Sequence, residues 1–353
     1  MTTSSSTSTK PLPGHNPYFK LGGKDIWSLI NETAAAAEQS GKKVVNLGQG
    51  FFSYSPPQFA IDAVKRALDV PLNNQYAHTR GKPNLLKALA KTYSPHYERE
   101  LSTDEIQVTT GANEGMYAVF TGLLAPGDEV IVFQPFFDQY IPNIEMTGAK
   151  VVYGKISPPA DFDKRTVTGD EWTIDWEEFE NLITPKTKMV VINSPHNPIG
   201  KVFNREELEK IGELAIKHNF YIVSDEVYEN LYYGDFVRIA TLSPEIARRT
   251  LTVGSAGKSF AATGWRIGWI IGDKEVIPYV TAAHTRICFS TPAPFQEGVA
   301  SALNEALTNG YYEKTREEYI HKYKVFTSVF DELGLPYTKA DGGYFLLVNF
   351  KKN

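Results

Sequence analysis

Residues 189–228 read MVVINSPHNPIGKVFNREELEKIGELAIKHNFYIVSDEVY, and the order of elements in this stretch decides the fold. MVVIN, 189–193, is a short β-branched run of the kind that forms a buried strand. Asn204 followed three residues later by Glu207 is a helix-capping pattern, and Leu208, Ile211, Leu214 and Ala215 then recur at helical spacing. YIVSD, 221–225, is a second strand-like run. Strand, loop, helix and strand in that order make a βαβ unit, whose crossover is expected to be right-handed.

The same grammar extends in both directions. Upstream, Ile26 to Ala37 carries helix formers, and VVNL at 44–47 reads as a brief strand ending in Gly48 and Gly50. Pro57 through Leu68 reads as a helix with Phe59, Ala60, Ala63, Val64, Ala67 and Leu68 on one face. A strand is expected in IQVTTGANEG before Gly111, another in EVIVF at 129–133, and a third in KVVY. Downstream, TLTVG and GWIIG continue the series. Strands alternating with helices predict a three-layer α/β/α fold whose central sheet is mostly parallel and covered on both faces.

Composition narrows the function. The chain has 353 residues, 42% hydrophobic and 22% charged, which is ordinary globular usage with room for one large or two moderate domains. Lys plus Arg number 36 against 41 Asp plus Glu, a net charge of −5, which argues against nucleic acid as a partner. The single cysteine, Cys288, excludes an intrachain disulfide and a thiolate-cluster zinc site, and its Arg-Ile-Cys-Phe setting reads as a small buried apolar residue. No two of the 7 histidines stand at i, i+4, so an H-E-x-x-H site is absent and no metal is expected. No apolar run approaches the roughly 18 residues of a membrane span, and no signal-peptide core is visible. Residues 1–15, MTTSSSTSTKPLPGH, read as a disordered tail. A mitochondrial presequence is also acid-poor and Ser-rich, but it normally alternates arginine with apolar residues, and here Lys10 alone carries charge.

In an open α/β sheet, ligands bind beyond the carboxyl ends of the strands. MVVIN is followed by SPHNPIGK, YIVS by Asp225-Glu226-Val227-Tyr228, and TLTVG by Ser255-Ala256-Gly257-Lys258-Ser259, so Asn193, Asn197, Asp225, Tyr228 and Lys258 converge on one edge. TVGSAGKS, 252–259, is not a phosphate-binding P-loop, because Thr252 stands where that motif needs glycine. Gly48 and Gly50 likewise lack the third glycine of a dinucleotide fingerprint, since Ser53 holds its place. A lysine beside Ala256, Gly257 and Phe260 can be partly desolvated, which lowers its pKa and makes the amine nucleophilic toward carbonyls. An aspartate facing a pyridine nitrogen keeps that nitrogen protonated, the protein's main electronic lever on pyridoxal phosphate.

The strings NLGQGFF, NQYAHTRGKP, VTTGANEG, PFFDQY, NSPHNPIGK, SDEVYE and GSAGKSFAATGWRIGW together resemble fold-type I aminotransferases of the class I group. Within that group the resemblance is to kynurenine aminotransferases, also described as cysteine-S-conjugate β-lyases, and it runs from about Asn16 to Phe350. It implies pyridoxal 5′-phosphate as cofactor, with Lys258 as the lysine that holds it and Asp225 as the pyridinium partner. Tyr228 and Asn197 match the pair that hydrogen-bonds the cofactor's phenolic oxygen, Asn193 supports them, and Phe137 matches the ring stacked on the pyridine. Ser255, Arg266 and the backbone N–H groups of Gly111 and Ala112 are implied as the phosphate site, with Asn113 opening the helix that follows. Tyr76 resembles a tyrosine that reaches the phosphate from a neighbouring subunit, which implies a homodimer. Tyr18, Trp27, Phe51, Phe52, Tyr140 and Phe289 are candidates for an aromatic substrate pocket, with Gly50 allowing close backbone approach.

The resemblance implies a domain order as well: a tail at 1–15, an N-terminal segment at 16–55, a large cofactor-binding domain at 56–300, and part of a smaller α+β domain at 301–353. Family members continue past the strand expected at GGYFLLVNF, 342–350, to an arginine that pairs with the substrate carboxylate. No arginine follows that run here, so a shortened product that holds cofactor and turns over poorly is one expectation. The implied reaction is ping-pong transamination from an aromatic amino acid, with L-kynurenine giving kynurenic acid as in tryptophan catabolism. Carbon–sulfur β-elimination from a cysteine conjugate is the alternative. The partners expected are amino and 2-oxo acids, with no nucleic acid and no membrane. The expected compartment is the cytoplasm, with the mitochondrion as the alternative.

Overall fold

The computed structural model describes residues 14, 18, 26–48, 50 and 52–351. The chain divides into two compact units, Met1–Gly50 and Phe51–Asn353. The described part of the first holds helix α1, Ile26–Gln39, followed by a run without regular secondary structure. VVNL forms no strand: Val45 and Leu47 are 73% and 72% exposed, and the unit's described residues offer no second strand to pair with.

The second unit opens with helices α2, Gln58–Leu68, and α3, Pro83–Tyr93. Strand β1, Ile106–Thr109, leads into α4, Ala112–Leu123, and β2, Glu129–Gln134, into α5, Tyr140–Glu145. Strands β3, Lys150–Ser157, β4, Val167–Thr168, and β5, Thr173–Ile174, precede α6, Trp176–Leu182. Then come β6, Thr187–Asn193, α7, Arg205–His218, and β7, Tyr221–Asp225, followed by α8, Pro244–Ala247, β8, Thr250–Ser255, and α9, Ala256–Ser259. Strand β9, Gly268–Ile271, three helices, α10, Ile277–Ile287, α11, Ala293–Ala306, and α12, Tyr311–Leu333, and strand β10, Thr338–Lys339, complete it.

Eight strands form one sheet in the order β1-β9-β8-β7-β6-β2-β3-β5. The run β8-β7-β6-β2-β3 is parallel throughout, while β9 is antiparallel to both its neighbours and β5 to β3. The fold is therefore the three-layer, mostly parallel architecture expected, with GWIIG as its internal antiparallel member.

Alternate residues along each strand enter opposite layers, as the two-residue strand period requires. Val130 and Val132 join Met189, Val191 and Val223 under α4, α5 and α10, whereas Ile131, Phe133, Val190, Ile192 and Ile222 pack with the buried faces of α6 and α7. A third cluster places α2, α3 and α11 over β1 and β9 through Leu85, Leu89, Val108, Trp269, Val299 and Leu303.

The central βαβ unit forms as its sequence dictates. Asn204 Oδ1 accepts from the Glu207 N–H at 2.9 Å, and Glu207 Oε2 accepts from the Asn204 N–H at 3.1 Å, closing the capping box of α7. Leu208, Ile211, Leu214 and Ala215 are all buried, and Asn219, in the left-handed region at φ 57°, ends the helix.

The run 342–350 does not form the strand expected of it. Its backbone is shared among different neighbours: Thr338 N–H donates to Leu347 O and Asn349 N–H to Pro336 O, while Gly343 N–H donates to Leu231 O. Only isolated bridges result, Tyr232 with Gly342 and Tyr337 with Val348. Among the described residues no helix is long and apolar enough to cross a membrane.

Candidate active site

Because β1, β2, β6, β7 and β8 run the same way, their carboxyl ends fall on one edge of the sheet. Asp225 closes β7 directly opposite Asn193 in the register with β6. Its carboxylate is 4% exposed; Oδ2 accepts from the Tyr140 hydroxyl at 2.6 Å and Oδ1 from the Val227 N–H at 3.3 Å. Asn193 Nδ2 donates to the Asp225 carbonyl at 2.8 Å, and its Oδ1 accepts from the Asn197 N–H at 2.6 Å, so one side chain ties two strand ends to the loop that follows.

Lys258 stands on α9, the short turn of helix after β8. Its Nζ donates to the Tyr344 hydroxyl at 2.7 Å and faces the rings of Tyr344, Tyr228 and Phe52 at 5.4, 5.5 and 6.0 Å. Burial lowers the ammonium to about 8; Asp225 pulls it back up and Arg266 adds to the fall. Burial pushes the Asp225 carboxyl up to about 6, against the Tyr140 hydroxyl, the Val227 N–H and the Lys258 charge. The result is an amine that is nucleophilic near neutrality and a carboxylate whose charge needs a cationic partner.

A short way along the edge, Gly111 caps α4 at φ 82°, a conformation that glycine alone adopts without strain. A Cβ there would collide with the Arg266 guanidinium. Arg266, itself at φ 57°, donates from Nη1 to Thr263 O at 3.0 Å and from Nη2 to Thr110 O at 3.4 Å, and no carboxylate among the described residues lies within ion-pair distance of it. A guanidinium without a carboxylate partner among the described residues, beside the first N–H groups of a twelve-residue helix, has the chemistry that suits an anion. Ser255, buried, ends β8 close by: its Oγ is 3.3 Å from where a Cβ on Gly257 would stand.

The other expected residues are placed as follows. Phe137 is half-buried, edge-on to Tyr140 at 5.6 Å. Asn113 accepts from Asn143 Nδ2 at 2.9 Å, which joins α4 to α5. Tyr76, 86% exposed, meets the Phe289 ring edge-on at 5.3 Å. Tyr18, Trp27 and Gly50 belong to the first unit, and Phe51 lies outside the described residues.

Two expectations are corrected. Tyr140, placed by sequence in an outer aromatic wall, is buried with its hydroxyl on Asp225, because it is the first residue of α5 and that turn faces the sheet. Cys288 is half-buried and in polar company: its Sγ lies 3.4 Å from His284 Nδ1, one helical turn back, and 3.3 Å from Thr110 Oγ1. His284 in turn bonds Glu114 at 3.0 Å. Burial alone would lower the imidazolium, but Cys288 and Glu114 reverse this and lift it to about 9. Sequence reasoning also missed Tyr344; its only signal is the Gly342-Gly343 pair before it, with Gly343 at φ 74°.

The family described as aminotransferase class I and II matches residues 42–353. The chain belongs to this family. It is 60% identical to a protein of Saccharomyces cerevisiae described as a probable kynurenine–oxoglutarate transaminase, BNA3, over 98% of this chain and 80% of that one. It is 36% identical to human kynurenine–oxoglutarate transaminase 3 over 98% of this chain and 76% of the relative. Among solved structures, that of yeast Bna3p superposes with a TM-score of 0.94 at 60% identity, covering 97% of this chain and 81% of that chain. An aspartate aminotransferase of Thermus thermophilus, solved with maleate, gives 0.85 at 30% identity, covering 96% and 85%.

This aminotransferase acts on amino and 2-oxo acids and takes pyridoxal 5′-phosphate as its cofactor. The donor set fits that group. The cup of Gly111 and Arg266 would suit a phosphate dianion, and a desolvated lysine and a buried carboxylate are the groups that an aldehyde and a pyridine nitrogen would call for.

Proposed function

We propose that the chain moves the amino group of L-kynurenine to a 2-oxo acid in two ping-pong half-reactions, and that the oxo product of kynurenine closes to kynurenic acid. The observation that carries the choice of donor is the 60% identity to BNA3, supported by relatives at 38% and 36% whose descriptions state the same activity. Roles for the residues follow from the geometry above. Lys258 would hold the cofactor covalently and, once released, carry a proton from the donor's Cα to the cofactor. Asp225 would keep the ring nitrogen protonated, with Tyr140 and the Val227 N–H fixing its carboxylate. Tyr228 and Asn197 would bond the phenolic oxygen, Asn197 being positioned by Asn193. Phe137 would cover the ring, and Ser255, Arg266 and the N–H groups of Gly111, Ala112 and Asn113 would hold the phosphate. When bound, pyridoxal 5′-phosphate supplies the electron sink that stabilises negative charge at Cα.

Phe52, beside Lys258, is the candidate within the second unit for contact with a flat donor side chain. Tyr76 and Phe289, both exposed, form the aromatic pair that a second copy of the chain would cover in a homodimer. Sedimentation should then give twice the chain mass. A cytoplasmic setting belongs to the same reading and is tested by fractionation. The donor assignment is tested by comparing kcat/KM for L-kynurenine and L-alanine with a common 2-oxo acid. The proposal expects kynurenine to be preferred by about tenfold or more, the discrimination one apolar pocket readily supplies. Equal values would sink it.

A further inference from the structure

Tyr344 is held on several sides. Its ring meets Tyr228 at 5.2 Å, Phe52 at 5.4 Å, Phe345 at 4.9 Å and Tyr319 at 6.2 Å, and the turn before it is pinned by Gly343 N–H to Leu231 O at 2.7 Å. A ring so confined presents its hydroxyl at one place. There the oxygen accepts from Lys258 Nζ at 2.7 Å and is also hydrogen-bonded with the Tyr228 hydroxyl.

We infer that Tyr344 is a positioning residue for the Lys258 amine, its hydroxyl oxygen holding the ammonium form in place while that lysine is not bonded to the cofactor. This rests on the reading that Lys258 is the residue that moves the proton. The physical ground is the asymmetry between the two forms of a buried amine. An ammonium carries three N–H donors and loses heavily where no acceptor meets them, whereas a neutral amine tolerates a dry, aromatic surrounding. The groups facing Lys258 include Asp225 at the end of β7, Arg266 before β9, the Tyr228 ring and the Tyr344 hydroxyl. Behind Tyr344 stand Tyr319 and Tyr54, hydrogen-bonded to each other at 2.7 Å, with the Lys322 ammonium over both rings. Burial drives Lys258 toward the neutral amine and the Asp225 charge opposes it; the Tyr344 oxygen, 2.7 Å from Nζ, adds an acceptor that favours the ammonium form.

The test is Tyr344→Phe, which keeps the ring and removes one oxygen. The full chain is loaded with pyridoxamine 5′-phosphate, which leaves Lys258 unbonded, and is labelled by brief reductive methylation from about pH 6 to about pH 10. Mass spectrometry of the Lys258 peptide then gives the titration midpoint of that amine. The wild-type midpoint should lie near 8 and that of Tyr344→Phe about one pH unit lower, the shift expected when a charged donor loses its acceptor. In turnover, kcat should fall, KM for the donor should hold, and the isotope effect from an α-deuterated donor should grow as proton transfer becomes slower. An unchanged or raised midpoint overturns the inference, as does a fall in kcat with no change in the isotope effect. None of these readouts depends on which amino acid is preferred, so the kynurenine assignment stands or falls separately.

Discussion

Asp225 and Glu226 are consecutive, both buried, and both have their carboxyls pushed up by burial, to about 6 and about 7, yet they face different fates. Glu226 is saturated within the protein: Ser224 Oγ donates to it at 2.9 Å, and the Arg238 guanidinium bridges it to Glu229 at 2.5 Å on each side. Tyr93 donates to Glu229, and Trp269 Nε1 to Tyr93 at 2.9 Å, so the network is closed by neighbours. Asp225 has hydroxyl and amide donors but no arginine, and its cationic counterpart within the site, Lys258, is itself drawn toward the neutral form. Burial without a resident counter-charge is what a site expecting a cationic ligand looks like; burial with one is structural.

The sharpest way to break this contrast is Lys258→Ala. It should remove transamination by about 10⁴-fold, the scale of a lost acid–base group, with no loss of thermal stability. Turnover at ordinary rates would refute the role. On the other side, Arg238→Ala leaves Glu226 and Glu229 buried without compensation and should cost about 3–5 kcal/mol in urea denaturation. A cost below about 1 kcal/mol would place the pair among solvated ion pairs. Next in size, Asp225→Asn should lower kcat by about 10²–10³-fold, the loss of one preorganised electrostatic partner, while leaving stability unchanged or slightly improved. Destabilisation by that variant would make Asp225 structural like its neighbour.

The smallest effect is a matter of pH. Asp225 titrates near 6 in the folded apoprotein against 3.8 when unfolded, so the folded state binds more protons between those values. Its contribution to stability is therefore full below about pH 4 and lost as pH rises through about 6. Asp225→Asn should flatten that part of the stability–pH curve, leaving the portion due to Glu226, which runs from 4.5 to about 7. An unchanged curve would contradict the assignment.

Much of this was legible from sequence because the deciding signals are local. The Asn204–Glu207 box and the stripe behind it gave α7, and parallel strands on either side force Asn193 and Asp225 to the same edge. Lys258 could be placed because it follows a strand directly. What sequence did not reveal depends on chain pairs distant in sequence. Tyr140 reaches Asp225 across 85 residues and Tyr344 reaches Lys258 across 86, contacts that no periodicity encodes. VVNL and GGYFLLVNF have strand composition without a strand, because a strand also needs a neighbour with free backbone groups at the right spacing. Cys288 looked apolar from its flanks, yet it sits one helical turn beyond His284, with Thr110 also beside its thiol.

The central claim is that Lys258 and its strand-edge neighbours bind pyridoxal 5′-phosphate through the lysine amine. The most direct measurement is the visible absorption spectrum of the purified chain with the cofactor, followed by borohydride reduction and peptide mapping, before and after L-kynurenine. A yellow band that shifts with kynurenine, together with cofactor fixed by borohydride to the Lys258 peptide alone, is the predicted result. Cofactor fixed to a different lysine, or no band at all, would contradict the account.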